Sequence, residues 1–107
     1  MAFYLNARYN GAMHVISRKA LRLFWEQHPD SEVPLSRWAR AVEQTDFGSF
    51  AELRAAFPSA DKVGELVVFN SAGNKYRLIC SVHFGRGKIY VRAVLTHQAY
   101  DRGGWKQ

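Results

Sequence analysis

Apolar residues recur at helical spacing through the first half of the chain. Ser17 can cap a first helix, and Pro29 and Asp30 stop it. The apolar stripe of this helix, at positions i, i+3, i+4 and i+7, is Leu21, Phe24, Trp25 and His28. Pro34 suits the first turn of a second helix, whose stripe is Leu35, Trp38, Ala39 and Val42. The pattern predicts two amphipathic helices that bury one face each.

A third, shorter helix is predicted before Pro58. It begins with the capping-box pattern Ser49-Phe50-Ala51-Glu52, and the proline prevents it from continuing. The three helices would form one layer with their apolar faces on a common core. We therefore expect structural roles for Trp25, Trp38, His14 and His28.

The second half alternates between apolar and polar residues, as strands do. The segment from Val67 to Leu78 is expected to contain two strands joined by a tight turn. From Asn74 to Phe84, one face would carry Asn74, Tyr76, Leu78, Cys80, Val82 and Phe84, and the other Lys75, Arg77, Ile79, Ser81 and His83. In the following strand, an apolar face of Ile89, Val91, Ala93 and Leu95 lies opposite Lys88, Tyr90, Arg92 and Val94.

These two strands can be joined by a two-residue hairpin turn at Gly85-Arg86, with glycine first. Directly paired residues share a face of the sheet, so only some registers are allowed. The register that aligns both faces pairs Phe84 with Gly87, His83 with Lys88, Ser81 with Tyr90, Ile79 with Arg92, Arg77 with Val94, and Lys75 with Thr96. The face away from the helices would then be too polar to be buried, with Lys75, Arg77, Ser81, His83, Lys88, Tyr90 and Arg92 along it.

Together the elements predict an α+β domain with helices packed on one face of a mostly antiparallel sheet. A strand just before Met13–Ile16 can add an edge to that sheet. Residues 13–107 are expected to form this single domain. Residues 1–12 contain no continuous apolar stretch, so we interpret them as an upstream extension or a cloning remnant rather than a secretory signal.

The positive charge is concentrated in the strand-rich half. The last 42 residues carry seven lysines and arginines against one acid, Asp101, whereas the first 65 carry eight of each sign. The whole formal net charge of +6 therefore lies in that half. Such a surface attracts polyanions, and nucleic acid is the commonest such partner. The alternatives are a solubilising surface and a patch that meets an acidic protein.

Several other classes of protein are disfavoured. Cys80 is the single cysteine, which excludes an internal disulfide and suits a reducing cytoplasm. No run approaches the roughly eighteen apolar residues of a membrane helix. The four histidines show no metal-binding spacing, and no glycine-rich loop precedes a helix. We expect no metal site, no cofactor and no membrane association.

Two motifs are predicted to bring phosphate-binding and proton-transfer groups together. Lys75 and Arg77 are two residues apart, so their cations would point the same way from one strand. The predicted register brings them beside Thr96–Asp101, which offers the imidazole of His97 and the phenol of Tyr100. Two cations beside two proton-transfer groups suit chemistry on a phosphodiester.

Metal-independent RNA cleavage is one such chemistry, in which the ribose 2′-hydroxyl attacks its own 3′-phosphate. Arg77 is the best phosphate clamp because it can bind bidentately, and Lys75 can supply a second charge. His97 is the most natural acid or base, and Tyr100 can share that role if nearby cations favour loss of its proton. Which of these two residues is the acid and which is the base stays open. Further RNA contacts are expected from Asn74, His83, Lys88 and Arg92, although asparagine beside a turn also has a structural explanation.

The motifs Phe-Asn-x-x-Gly-Asn-Lys-Tyr-Arg-Leu (69–78) and Thr-His-x-x-Tyr-Asp (96–101) resemble the HigB family of bacterial toxins. These are RelE-like mRNA endonucleases of type II toxin–antitoxin pairs. The resemblance runs from Met13 to about Arg102 and includes His14-Val15-Ile16-Ser17 and the Trp25–Pro29 region. It implies a RelE-like fold, a cytoplasmic toxin and catalytic work at the basic, histidine and tyrosine positions named above. It also implies three partners: mRNA, the ribosome and a helix–turn–helix antitoxin of the HigA type.

A second reading is a non-catalytic RNA- or ribosome-binding module that uses the same basic face. The pair His97 and Tyr100 separates the two classes, because a binder needs the cations but not the proton-transfer groups. A DNA-binding domain is disfavoured, since no helix–turn–helix carries the basic charge. Dependence of cleavage on a translating ribosome stays open at this point.

Overall fold

The computed structural model describes residues 13–106, so the predicted extension at residues 1–12 lies outside the described part of the chain. Its strands are β1 His14–Ile16, β2 Asp61–Val63, β3 Leu66–Ser71, β4 Tyr76–His83 and β5 Lys88–Thr96. Its α-helices are α1 Arg18–Gln27, α2 Glu32–Glu43, α3 Phe50–Ala56 and α4 His97–Arg102. Three short 3₁₀ helices lie at Pro29–Ser31, Phe84–Arg86 and Gly104–Lys106.

The strands form one five-stranded sheet in the order β1-β5-β4-β3-β2. Consecutive strands from β2 to β5 pair antiparallel, and β1 joins β5 in parallel. The predicted α+β class with a mostly antiparallel sheet is therefore confirmed. The edge strand lies on His14–Ile16 itself, and the positions just before Met13 fall outside the described residues.

The three predicted helices are present, and their ends follow local sequence signals. α1 begins after Ser17, and α2 begins at Glu32, which leaves Pro34 in the first turn, where its missing N–H costs nothing. The α3 cap is complete, since Ser49 Oγ accepts a hydrogen bond from Glu52 N at 3.2 Å. Glu52 Oε1 in turn accepts from Gly48 N at 2.7 Å. None of the helices among residues 13–106 is long and apolar enough to cross a membrane.

One hydrophobic core lies between the sheet and the layer of α1, α2 and α3. The ring of Phe69 on β3 meets Trp38 and Phe57 edge-on, with both pairs of ring centroids 5.2 Å apart. Trp38 is buried, and Trp25 is partly buried against the same core, so the structural roles expected for both tryptophans are confirmed. The sheet face that meets the helices is fixed by Leu78 and Cys80, which are fully buried in this core.

The predicted pairing of β4 with β5 is right at one end and wrong at the other. His83 pairs with Lys88 and Ser81 with Tyr90, as predicted. A β-bulge between Ile79 and Cys80 then makes Arg92 an extra residue, so Ile79 pairs with Ala93 rather than with Arg92. From there the partners observed differ by one from those predicted: Arg77 lies across from Leu95, and Tyr76, not Lys75, from Thr96.

The bulge also exchanges the faces of β5 beyond Arg92. Val94 now pairs with Leu78 and packs against the core, whereas Ala93 and Leu95 lie on the opposite face. The three residues after Arg92 are all apolar, so either alternation buries an apolar side chain, and the pattern alone does not distinguish the two registers. The predicted burial of Ala93 and Leu95 against the helices is therefore wrong.

The connection between β4 and β5 is longer than the predicted two-residue turn. It contains the 3₁₀ helix Phe84–Arg86, followed by Gly87 in the left-handed region at φ 64°. Phe84 leaves the strand ladder because its ring packs against the core. Gly87 makes this possible, since a residue without Cβ adopts positive φ at low cost. The predicted pairing of Phe84 with Gly87 is replaced by this loop.

Candidate functional site

The two sequence motifs meet where α4 is attached to the start of β4. The backbone N–H of His97 donates to the carbonyl oxygen of Lys75 at 3.0 Å. Thr96 caps the helix, since its Oγ1 accepts a hydrogen bond from Ala99 N at 3.2 Å. The C-terminal segment (residues 97–106) therefore folds back over the end of the sheet. This brings Arg77, His97 and Tyr100 together, as the two motifs predict, and we call these three residues the motif cluster.

Arg77 lies on the sheet face away from α1, α2 and α3, but its side chain is buried, with 8% of the residue exposed. One terminal nitrogen donates to the carbonyl oxygens of Asn74 at 2.8 Å and Tyr76 at 3.3 Å. The other lies 3.1 Å from His97 Nδ1, and the guanidinium carbon lies 5.1 Å from the centre of the Tyr100 ring. The expectation that this face is open is wrong at Arg77, because the C-terminal segment covers it.

The hydrogen bonds around His97 determine which ring nitrogen carries the proton. A guanidinium group can only donate, so Nδ1 of His97 must accept from Arg77. Nε2 then carries the hydrogen, and a carboxylate oxygen of Asp101 lies 3.1 Å from it. An arginine, a neutral imidazole and a carboxylate thus lie in a row, joined by one hydrogen bond and one close contact between nitrogen and oxygen. In this arrangement both nitrogens of His97 are engaged.

Tyr100 is held by a residue that the sequence did not indicate. Its ring stacks on the indole of Trp105, with ring centroids 4.9 Å apart and planes 15° apart. Trp105 Nε1 also donates to the Tyr100 carbonyl oxygen at 2.8 Å. Gly103, at φ 78°, ends α4 in the left-handed conformation and lets the chain return toward the sheet. An aromatic residue directly after a Gly-Gly pair was the available signal.

Lys75 lies just before β4 and not within it, so its side chain does not follow the alternation of the strand. The prediction that the cations of Lys75 and Arg77 point the same way is therefore wrong. β4 begins only at Tyr76, and Ala72 and Gly73 before it have positive φ values of 52° and 69°. The ammonium group of Lys75 instead forms an ion pair with Asp30, in the 3₁₀ helix that follows α1. No local pattern could indicate a contact between positions so far apart in the chain.

The hydroxyl of Tyr76 joins this ion pair by donating to Asp30 Oδ1 at 2.7 Å. The hydrogen bonds from Lys75 and Tyr76 lower the pKa of the Asp30 carboxyl below its ordinary value. The same contacts with Asp30 raise the pKa values of Lys75 and Tyr76. Asp30, Lys75 and Tyr76 therefore stabilise one another in their neutral-pH protonation states.

A cavity of about 410 Å³ opens beside the cluster and gives Lys75 and His97 a common space. Its walls are formed by His28, Lys75, Tyr76, Thr96, His97 and Gln98. This volume is within the range of ligand pockets, roughly 300–1,000 Å³. The cavity is the place where a phosphate can meet an ammonium group and an imidazole at the same time.

The remaining predicted RNA contacts lie elsewhere. His83 and Lys88 are paired at the far end of the hairpin, and Tyr90 contacts the His83 ring with 5.0 Å between centroids. Arg92 donates to Ser81 Oγ at 2.9 Å. We call His83, Lys88, Tyr90 and Arg92 the distal cluster, since Ser81 is four residues, about 13 Å, along β4 from Arg77. Asn74 contributes structure across the turn, because its Oδ1 accepts from Asn70 Nδ2 at 3.4 Å.

Two further kinds of chemistry, thiol chemistry and metal binding, have no place among the described residues. Cys80 is fully buried in β4, and burial raises the pKa of its thiol. Within residues 13–106, no group of three or more His, Cys, Asp or Glu side chains is arranged to hold a metal ion.

The contacts of Asp30 predict that the stability difference between the original protein and Asp30→Asn depends on pH. In the unfolded chain the pKa of an Asp carboxyl is about 3.9, and in the folded protein the pKa of Asp30 is lower. Its contacts therefore stabilise the fold fully above about pH 3.9, and this contribution is lost as the pH falls through the folded-state pKa. We expect Asp30→Asn to melt at a lower temperature than the original protein at pH 7, with the difference disappearing in acid. Thermal unfolding followed by circular dichroism between pH 2 and pH 7 measures this.

Asp61→Asn is the matched control for this experiment. Among the described residues, the Asp61 carboxylate accepts only the N–H of Lys62, at 3.0 Å, and it forms no ion pair. Its melting temperature should follow that of the original protein across the whole range. A difference for Asp30→Asn that stayed constant down to pH 2 would contradict the assignment.

The known proteins to which this chain is similar all belong to one family of toxins. Residues 31–103 match a family model described as HigB toxin, the RelE-like toxic component of a toxin–antitoxin system. The chain is 36% identical over 92 residues to the mRNA interferase toxin HigB of Escherichia coli K12, covering 83% of this chain and 88% of that protein. The mRNA interferase HigB of Shigella flexneri gives the same values. The mRNA interferase HigB of Escherichia coli O6:H1 is 28% identical over 93 residues, covering 84% of this chain and 90% of the relative.

Proposed function

The chain belongs to the HigB family of RelE-like toxins, and we propose that it is an endoribonuclease that cleaves mRNA and thereby inhibits translation. The observation that supports a catalytic role most directly is the row of Arg77, His97 and Asp101 beside a cavity of about 410 Å³, in which Arg77 bonds His97 and Asp101 lies 3.1 Å from it. A protein that only bound RNA would need the cations but would have no use for an oriented imidazole.

The proposed reaction uses the ribose 2′-hydroxyl as an internal nucleophile. A base takes its proton, the 2′-oxygen forms a bond to the adjacent phosphorus, and the bond from phosphorus to the 5′-oxygen breaks. An acid gives a proton to that 5′-oxygen, so the products are a 2′,3′-cyclic phosphate and a 5′-hydroxyl. The two proton transfers need groups close to the phosphate, and the candidates in the motif cluster are His97 and Tyr100.

The cations have different roles in this proposal. Lys75 is exposed at the cavity, so its ammonium group can bind the phosphate in competition with Asp30. Arg77 is largely buried, and its hydrogen bonds hold His97 in one tautomer while its charge lies beneath the Tyr100 ring. We therefore propose Arg77 as a charged positioning residue rather than the exposed phosphate clamp expected from the sequence.

A cleavage assay with His97→Gln tests the proposed function. The amide keeps hydrogen-bonding capacity but cannot transfer protons, so we expect the cleavage rate to fall by about a hundredfold or more. The assay uses purified protein on a defined mRNA, with and without translating ribosomes, alongside growth after induced expression. His14→Gln, an exposed histidine on the edge strand β1 outside both clusters, is the matched control and should keep most of its activity.

The outcome separates the two classes of function. Growth arrest that persists in His97→Gln with no RNA cut by the original protein would show a non-catalytic binder. We propose the ribosome and a helix–turn–helix antitoxin of the HigA type as the further partners of this toxin. Its action on mRNA during translation would take place in the cytoplasm.

Binding to RNA should weaken steeply with salt, because several bases of the strand-rich half would release counterions. For single strands the slope of log K against log salt changes by about 0.7 for each phosphate contact. The double substitution Lys88→Ala with Arg92→Ala should therefore make the slope less steep by about 1.4. Fluorescence anisotropy with a labelled RNA between low and physiological salt measures it.

The matched control for salt dependence is Lys19→Ala with Arg40→Ala. It removes the same charge from exposed positions on α1 and α2, away from the sheet face that carries the distal cluster. Its slope should equal that of the original protein. An affinity that did not change with salt in the original protein would show that the basic face does not bind RNA.

A further inference from the structure

His28 lies on the wall of the same cavity as His97, although the motif cluster does not include it. Its backbone N–H ends α1 by donating to the Phe24 carbonyl oxygen at 2.9 Å. The helical stripe predicts a structural role for this residue. A structural role does not require two of the properties of His28. Its ring is held in one position, and its ring nitrogens have no partner among the described residues.

The ring of His28 is held in one position. It stacks on the Phe24 ring with centroids 4.4 Å apart and planes 21° apart, and it meets the Tyr76 ring at 5.6 Å. Behind it, fully buried Ser31 donates to the His28 carbonyl oxygen from its backbone N at 2.8 Å and from Oγ at 2.7 Å. An imidazole fixed this way on the cavity wall loses little further conformational freedom when a substrate binds.

The ring nitrogens of His28 form no hydrogen bond or ion pair with any of the described residues 13–106. Those of His97 are both engaged, one with Arg77 and the other with Asp101. A base needs a free lone pair, and at this cavity His28 has one while His97 does not. A phenylalanine would fill the same apolar space equally well, so packing alone does not account for an imidazole here.

We propose that His28 is the base of the cleavage reaction, which rests on the endoribonuclease function proposed above. Neutral His28 takes the proton of the 2′-hydroxyl as the 2′-oxygen bonds to phosphorus. The bond from phosphorus to the 5′-oxygen breaks, and the 5′-oxygen takes a proton from the Tyr100 hydroxyl, which lies in the C-terminal segment with the Arg77 cation beside its ring. One proton is thus gained at His28 and one is lost from the C-terminal segment, and water later restores both.

Two substitutions at this position separate proton transfer from packing. His28→Phe keeps the stack on Phe24 and the volume of the ring but removes both nitrogens. His28→Ala removes the ring and opens a space that free imidazole can enter. Both variants should lower the cleavage rate by about a hundredfold. Affinity for a 2′-deoxy RNA of the same sequence should stay within about twofold for His28→Phe, because the cations that bind phosphate are untouched.

Added imidazole gives the decisive readout. The rate of His28→Ala should rise in proportion to imidazole concentration, while His28→Phe, whose ring fills the space, should not respond. Full activity of His28→Phe, or a loss in both variants that imidazole does not restore, overturns the proposal. The original protein and His97→Gln are measured in the same assay. If the original protein does not cut, the proposed function fails; if it cuts and His97→Gln does not, the His28 result stands by itself.

Discussion

An RNA with a single 2′-deoxy substitution at the mapped cut is expected to resist cleavage at that position while neighbouring cuts continue. The reason is that the 2′-hydroxyl is the nucleophile in the proposed reaction, so its removal leaves nothing to attack the phosphorus. The carboxylates nearest the site, Asp30 and Asp101, are already engaged with Lys75 and His97. Enzymes that activate water with two metal ions need several converging ligands instead.

The measurement compares cut fragments from two RNAs that differ only in that one sugar, with ribosomes present if they are required. The other 2′-hydroxyls of the same molecule serve as internal controls. Analysis of the 5′ fragment should find a 2′,3′-cyclic phosphate at its end. Unchanged cutting at the deoxy position would show that water is the nucleophile and would overturn the reaction proposed here.

Arg77→Ala is expected to abolish RNA cleavage and also to destabilise the fold. The side chain is largely buried and bonds two backbone carbonyls and His97, so its removal leaves one buried and two partly buried acceptors unpaired. Such a loss costs about 1–3 kcal/mol of the free energy of unfolding. It also removes the contact that fixes the His97 tautomer and the cation beneath Tyr100. Arg77→Lys should fail as well, because an ammonium group cannot reach the carbonyls and the imidazole together.

Denaturant unfolding and cleavage, measured where Arg77→Ala is still folded, distinguish the two effects. Arg92→Ala is the matched control, since Arg92 is an exposed arginine on the same sheet face that donates to Ser81 Oγ and lies over the Tyr90 ring at 5.7 Å. Its free energy of unfolding should stay within about 0.5 kcal/mol of the original. An Arg77→Ala protein that kept both its stability and its activity would contradict the role given to this residue.

Much of the fold could be predicted because its signals are local. The stripes that contain Leu21 and Leu35 have the helical period, and the capping box at Ser49 gives the start of α3. The convergence of Arg77 with His97 could be predicted because alternation and hairpin pairing bring the two motifs to the same end of the sheet.

The parts that were wrong depend on contacts that no local pattern contains. The bulge at Arg92 lies in an apolar stretch where two registers bury side chains equally well. The direction of Lys75 is set by Asp30, 45 positions earlier in the chain. The burial of Arg77 comes from the C-terminal segment, whose return over the sheet depends on Gly103 and on the stack of Trp105 with Tyr100.

The extra residue in β5 has a consequence for how the length of this chain can vary among relatives. Val91 pairs with Cys80 and Ala93 with Ile79, so a sequence that lacks a residue at Arg92 could keep every other pair in place. A one-residue gap there would leave His97 at the same end of β4. A one-residue deletion between Ala93 and Thr96 would instead move the side chains that lead to His97 to the opposite face of the sheet. We therefore expect a one-residue deletion at Arg92 to be tolerated without moving residues 96–101 relative to β4.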